Sequence, residues 1–217
     1  MKLVQDPAEK TTAVTDIILA LVAFGGICWL PWYMPDNSAA WRLNIWSAAI
    51  GLMGLAAALG AAAHGLVLSD TLQNRIWLAL NMALALAVSL FVVGVVHDRW
   101  GHEASLKILP YMLIAGAGFY LTTLIYPGTF FLFIVYEALA LLFALCVYLV
   151  LMLSDRPGAG LMAGGILLSM VAAGLQANKS IVFKFIWPFD HNGIYHIVQT
   201  IGLLFLFAGL SGMTIFK

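Results

Sequence analysis

Seven long apolar runs, each cut from the next by a short polar break, limit this chain to very few folds. They cover 13–33, 43–68, 75–96, 106–125, 129–153, 158–176 and 192–215. An α-helix needs about 20 apolar residues to cross the hydrocarbon core of a bilayer. In that solvent every backbone N–H and C=O must be satisfied inside the protein, so only helices or a closed barrel can span it. Runs of this length select helices, and the short breaks make successive helices antiparallel neighbours. The sequence therefore predicts an all-α integral membrane protein, with a single seven-transmembrane-helix domain over 1–217. Composition agrees: 63% of the residues are apolar and 9% charged, against roughly 25% charged in a soluble domain. The mean hydropathy is +1.00.

The breaks carry turn and stop signals. They are Pro31, Pro35 and Asp36–Asn37, then Ser69–Asp70, His97–Asp98–Arg99, Tyr126–Pro127–Gly128, and Ser154 to Pro157. Between the sixth and seventh runs, 177–191 holds Lys179, Lys184 and Pro188 around an apolar core too short to span, as expected of an interfacial segment. The first sixteen residues hold Lys2, Asp6, Glu9, Lys10 and Asp16 and lack the apolar core of a secretory signal. Trp32, Trp41, Trp77, Trp100 and Trp187 fall near helix ends, where interfacial anchors sit. Gly51, Gly54, Gly60, Gly160 and Gly164 are read as helix contact faces. Cys28 and Cys146 lie inside apolar runs and are read as packing residues. The zero net charge gives no reason to expect nucleic acid. Lys2, Lys10, Arg75, Lys179 and Lys184 fall on the side of the N-terminus; Arg42, Arg99, Lys107, Arg156 and Lys217 fall on the other. The two sets are equal, so the positive-inside rule assigns no orientation.

Ionisable groups within spans cost about 2.5–3.5 kcal/mol at mid-membrane and are functional candidates by default. His64 lies near the end of the second run, Glu137 in the first part of the fifth, and His191 and His196 at the mouth and start of the seventh. Helix direction brings all four to the N-terminal side of the bundle. Asn81, Thr122, Thr123, Tyr136 and Gln176 are expected in the same half, and Gln199 shares a helix face with His196. The opposite half reads as almost purely apolar.

Three imidazoles from two helices suit a catalytic zinc with an open position for water. The expected ligands are His64, His191 and His196. Glu137 is expected as a base or supporting group, with Asn81 and Asp70 as further catalytic candidates. The plainer reading is a hydrogen-bonded network that fixes packing. His191 and His196 are five apart, about 140° around a helix, so His191 must fold back from before the helix, with Asn192 as the N-cap. A second pair, His97 and His102, repeats this spacing on the other side and reads as part of a solvated loop.

At these residues the chain resembles the CREST superfamily of seven-helix membrane proteins, which includes alkaline ceramidases, progestin and adipoQ receptors, and haemolysin-III-like proteins. The resemblance rests on the helix count, on His64 near the end of helix two, and on His191 and His196 at the start of helix seven. It implies a zinc-dependent hydrolase acting within the bilayer on a lipid-like amide or ester, with metal-activated water as nucleophile. The family pattern is His-x-x-x-His where this chain has His-x-x-x-x-His. It has a serine where Gly60 stands, and an acid near the start of helix three where Gln73, Asn74 and Arg75 stand. Two other readings remain open from the residues. One is a haem-binding electron-transfer subunit ligated by His64 and His196. The other is a non-catalytic receptor or accessory membrane subunit.

Overall fold

The computed structural model describes residues 2–32, 40–126 and 130–215. The expected turns at Pro35–Asn37 and Pro127–Gly128, and Lys217, lie outside the described residues. The described chain forms α1 (Pro7–Trp29), continued by a 3-10 turn at Leu30–Trp32, then α2 (Ala40–Gly65), α3 (Asp70–Trp100), α4 (His102–Ile125), α5 (Phe130–Leu153), α6 (Ala159–Ala177) and α7 (His191–Ile215). Among the described residues, seven helices are long and apolar enough to cross a membrane. The protein is an all-α, multi-pass membrane bundle.

Two short ladders tie the side that carries the N-terminus. Strand β1 (Lys2–Leu3) pairs with β2 (Leu66–Val67) at the end of α2. Strand β3 (Val182–Lys184) pairs with β4 (Pro188–Asp190) in the connection from α6 to α7. The expected interfacial segment is thus a hairpin.

Helix α1 starts six residues before the apolar run, because its start signal lies in polar sequence. Asp6 accepts the Ala8 N–H at 2.8 Å, Pro7 opens the helix, and Glu9 sits in the first turn, where the helix dipole favours an acid. The extension puts Glu9, Thr12 and Asp16 at i, i+3 and i+7, one face of the helix. At the other end, α3 runs through His97–Arg99 to Trp100, and only Gly101 separates it from α4. The expected loop there is helix.

Six helices close a ring in the order α1, α2, α3, α5, α6, α7 and back to α1, while α4 packs outside, mainly on α3. Only 11% of the α4 span is buried, against 61% of α7, so α4 is lipid-facing and α7 a wall of the interior. The closest crossing is between α6 and α7. A methyl group on Gly165 would stand 2.8 Å from the Gly202 carbonyl oxygen, and one on Gly202 3.0 Å from that of Gly165. Neither position admits a side chain without separating the helices.

The end of the bundle away from the N-terminus is not purely apolar. Arg42 Nε donates to Asp98 Oδ1 at 2.5 Å, Arg42 Nη2 to Asp98 Oδ2 at 3.3 Å, and Tyr148 Oη to Asp98 Oδ2 at 2.7 Å. Arg42 Nη1 also donates to the Leu210 carbonyl. The network joins α2, α3, α5 and α7 (Asp98 is 8% exposed). In the sequence both charges stood at the edges of runs and read as loop residues. In the structure the longer helices carry them inside, where each exists because the other does. Asp98→Ala, which leaves a buried guanidinium unpaired, is expected to destabilise the fold by about 3–5 kcal/mol. Arg42→Met combined with Asp98→Leu should recover much of that loss in thermal unfolding of detergent-solubilised protein.

Candidate functional site

The polar face of α1 meets α2 and α7 at the end of the bundle that carries the N-terminus. Asp16, Thr12 and Thr15 are buried, and so are His196 and Gln199 of α7. His196 Nε2 stands 3.2 Å from Asp16 Oδ1, and its Nδ1 stands 3.2 Å from Thr15 Oγ1. Thr15 already uses its hydroxyl proton on the Thr12 carbonyl, at 2.9 Å. With the Thr15 proton held in that bond, His196 Nδ1 is the donor to Thr15, and Nε2 of the neutral ring faces the Asp16 oxygen with a lone pair that a proton or a metal ion must bridge; in the other tautomer Nε2–H donates to Asp16 directly.

The second imidazole is held the same way. His64 Nδ1 pairs with Glu9 Oε2 at 2.6 Å, and its ring meets Trp77 edge-on. A ring whose Nδ1–H is given to a carboxylate has Nε2 free to bind something else. His64 lies within electrostatic range of His196.

Gly60 makes room for this arrangement. A methyl group there would stand 2.8 Å from Asp16 Oδ2 and 3.0 Å from Oδ1. Oδ2 is itself buried and has no hydrogen-bond partner among the described residues. Below the cluster, Asp190 Oδ1 accepts from the Thr12 hydroxyl and from Gly193 N–H, both at 2.8 Å. Asp190, not Asn192, therefore caps α7, and Asn192 Oδ1 accepts from Gln176 Nε2 at 3.4 Å.

An interior cavity adjoins the cluster, with about 80 Å³ of room for water-sized molecules. Trp46, Phe91 and Phe133 wall it, and Glu137, Tyr195 and Gln199 are its polar lining together with Ser169. Glu137 Oε2 and Gln199 Oε1 have no hydrogen-bond partner among the described residues. Tyr195 lines the cavity and its ring meets that of His196 edge-on.

His196 pairs with Asp16 and Thr15, His64 pairs with Glu9, and Glu137 lines the neighbouring cavity. His191 is the first residue of α7, half-buried, with no side-chain partner among the described residues. Asn81 is half-buried in α3 away from the cavity lining, and Asp70 is exposed in the first turn of α3. Thr122 and Thr123 donate to carbonyls of their own helix, and Tyr136 bonds Ser89 at 2.9 Å across the α3–α5 seam. No three His, Cys, Asp or Glu side chains among the described residues are gathered closely enough to share an ion. That includes His97 and His102: His97 lies beside Asp98, and His102 packs edge-on against Trp41. Asp16, Glu9, Thr12 and Thr15 are the site residues the sequence reading missed. Their signal was the spacing 9, 12, 16, a polar stripe running into an apolar helix.

A seven-helix membrane bundle with carboxylate–imidazole pairs at one end is the class these features define. The chain belongs to a family of unknown function, DUF6962, whose model matches residues 11–215. No curated protein and no solved structure matches it.

The Gly60–Asp16 contact is open to a double-mutant cycle. Gly60→Ala is expected to lower stability by about 1–3 kcal/mol through overpacking. In an Asp16→Ala background the same change should cost much less, giving a coupling of about 0.5–3 kcal/mol. Equal costs in the two backgrounds would mean the carboxylate does not occupy that space.

Proposed function

We propose that this protein is a metal-dependent hydrolase of the membrane interior, acting on a lipid-like amide or ester, with zinc held by His196 and Asp16 and with His64 as a neighbouring imidazole. The observation that carries this reading is the close approach of two groups able to ligate a metal, His196 Nε2 and Asp16 Oδ1, 3.2 Å apart. Two ligands on a tetrahedral zinc, each bonded at about 2.0–2.1 Å, are separated by about 3.3 Å. The unpartnered Asp16 Oδ2 supports the same reading. So does the way both rings are held by Nδ1, His196 on Thr15 and His64 on Glu9, which is how metal-ligating histidines are oriented. The donor set fits zinc in kind, while His64 is not gathered with the other two into one ligand group.

When bound, the ion supplies Lewis acidity toward a carbonyl oxygen and makes water a better nucleophile at neutral pH. The chain supplies the rest. Thr15 and Glu9 fix the two imidazoles, and Asp16 balances positive charge in a site that excludes water. The unpaired oxygen of Glu137 is an acceptor for a proton released in the reaction, and Tyr195 lines the same cavity with its ring against His196. The aromatic and aliphatic walls favour an apolar chain beside these few polar groups.

Metal analysis of purified protein from zinc-supplied cells should find one ion per chain. His196→Ala and Asp16→Asn should lose most of it, whereas His191→Ala should retain it. Hydrolysis of reconstituted lipid amides and esters, followed by mass spectrometry, should fall by at least about a hundredfold in the first two variants, as when a metal site's supporting groups are removed. Metal-free wild-type protein, or equal metal in wild type and His196→Ala, would overturn the proposal. Full metal content with no turnover on any lipid would support a receptor instead.

A further inference from the structure

The hairpin between α6 and α7 turns its side chains outward. Val182 is 74% exposed, Phe185 76%, Ile186 66% and Trp187 62%. A two-stranded hairpin is marginal in water even with a covered face, and this one exposes its largest apolar residues. Lys179 and Lys184 are exposed within the same connection, and no acid occurs from Asn178 to Phe189. Aromatic residues with lysines are the composition of segments lying at a membrane–water boundary. The hairpin stands at that boundary because it joins the end of one spanning helix to the start of the next. Its base is fixed by the bonds from Asp190 to Thr12 and to the start of α7.

We propose that this hairpin is a lipid-binding element. Phe185, Ile186 and Trp187 are immersed at the acyl-chain boundary of the adjoining leaflet, and Lys179 and Lys184 hold phosphate groups of anionic phospholipids. The local charge selects that partner: Lys179 and Lys184 are exposed, while the hairpin's acid, Asp190, is half-buried and engaged by Thr12 and Gly193, so the exposed part attracts an anionic headgroup. The hairpin ends at Asp190, which bonds Thr12, one turn of α1 from Asp16. It therefore gathers lipid headgroups next to the carboxylate–imidazole cluster, whether or not that cluster holds a metal.

Quenching of an environment-sensitive label tests this in full-length protein reconstituted in vesicles. Cys28 and Cys146 are replaced by Ala, and the label is placed at Ile186→Cys, with Asp155→Cys in the exposed α5–α6 turn as the aqueous control. The Ile186 label should be quenched by spin-labelled phospholipid several-fold more than the control, and by aqueous iodide several-fold less. Spin-labelled phosphatidylglycerol should quench it more than spin-labelled phosphatidylcholine, and Lys179→Gln with Lys184→Gln should abolish that difference. Iodide quenching equal to the control would overturn the immersion. Equal quenching by the two lipids in the unmodified hairpin would overturn the anionic site. Protection from both iodide and lipid would mean that another protein covers the hairpin, and would also overturn it.

Discussion

In an apolar solvent a polar side chain has nowhere to go but to another protein group. That constraint separates the two ends of this bundle. At one end it is met in full for the charged groups: Asp98 receives Arg42 and Tyr148, and Arg42 reaches on to a carbonyl of α7. At the other end it is met by halves. Asp16 engages His196 through one oxygen and leaves the other without a partner, and Glu137 and Gln199 keep free acceptor oxygens beside a cavity. Unmet acceptors in a medium that penalises each by a few kcal/mol persist where a cation, a proton or water completes them. A closed ion network is sufficient as structure; an unclosed one beside a cavity has room for a ligand.

The two ends also divide the mechanical work. Arg42 and Asp98 join four of the six ring helices at one end, and the glycine crossing of α6 and α7 locks two of them at contact distance. The α3–α5 seam is held differently, by Ser89 with Tyr136 and by Phe119 of the outer helix stacked on Tyr136. These bonds are few, and they border the cavity wall formed by Leu84, Val88 and Phe133. At the level of the cavity the seam is held by Tyr136, bonded to Ser89 and to the Ala85 carbonyl, while Tyr148 bonded to Asp98 ties the same two helices at the far end.

The fold was legible because bilayer thickness translates directly into run length. Each of the seven runs became a helix with ends shifted by a few residues. The shifts mattered most where a helix began or ended in polar sequence. The Asp6–Pro7 cap starts α1 before its apolar stretch, and α3 continues through His97, Asp98 and Arg99. A hydropathy reading stops at the first charge, whereas a helix stops where its backbone bonds end. Asp16, Arg42 and Asp98 were therefore taken for edge residues when they are buried. His64 and His196 lie inside the predicted runs, where an imidazole stands out, whereas His191 lies at the helix start and has no side-chain partner among the described residues.

Gly60 and Asp16 share one space from two helices. The position four residues before His64 carries no side chain. The carboxylate of Asp16, from a different helix, stands where a side chain at position 60 would have to begin. A serine at that position would displace the group that now faces His196 Nε2. Substituting Gly60 alone would therefore disturb the imidazole site through Asp16, without touching either histidine. The absent side chain at position 60 and the presence of the α1 acid are one structural fact, and the acidic group beside His196 enters from α1.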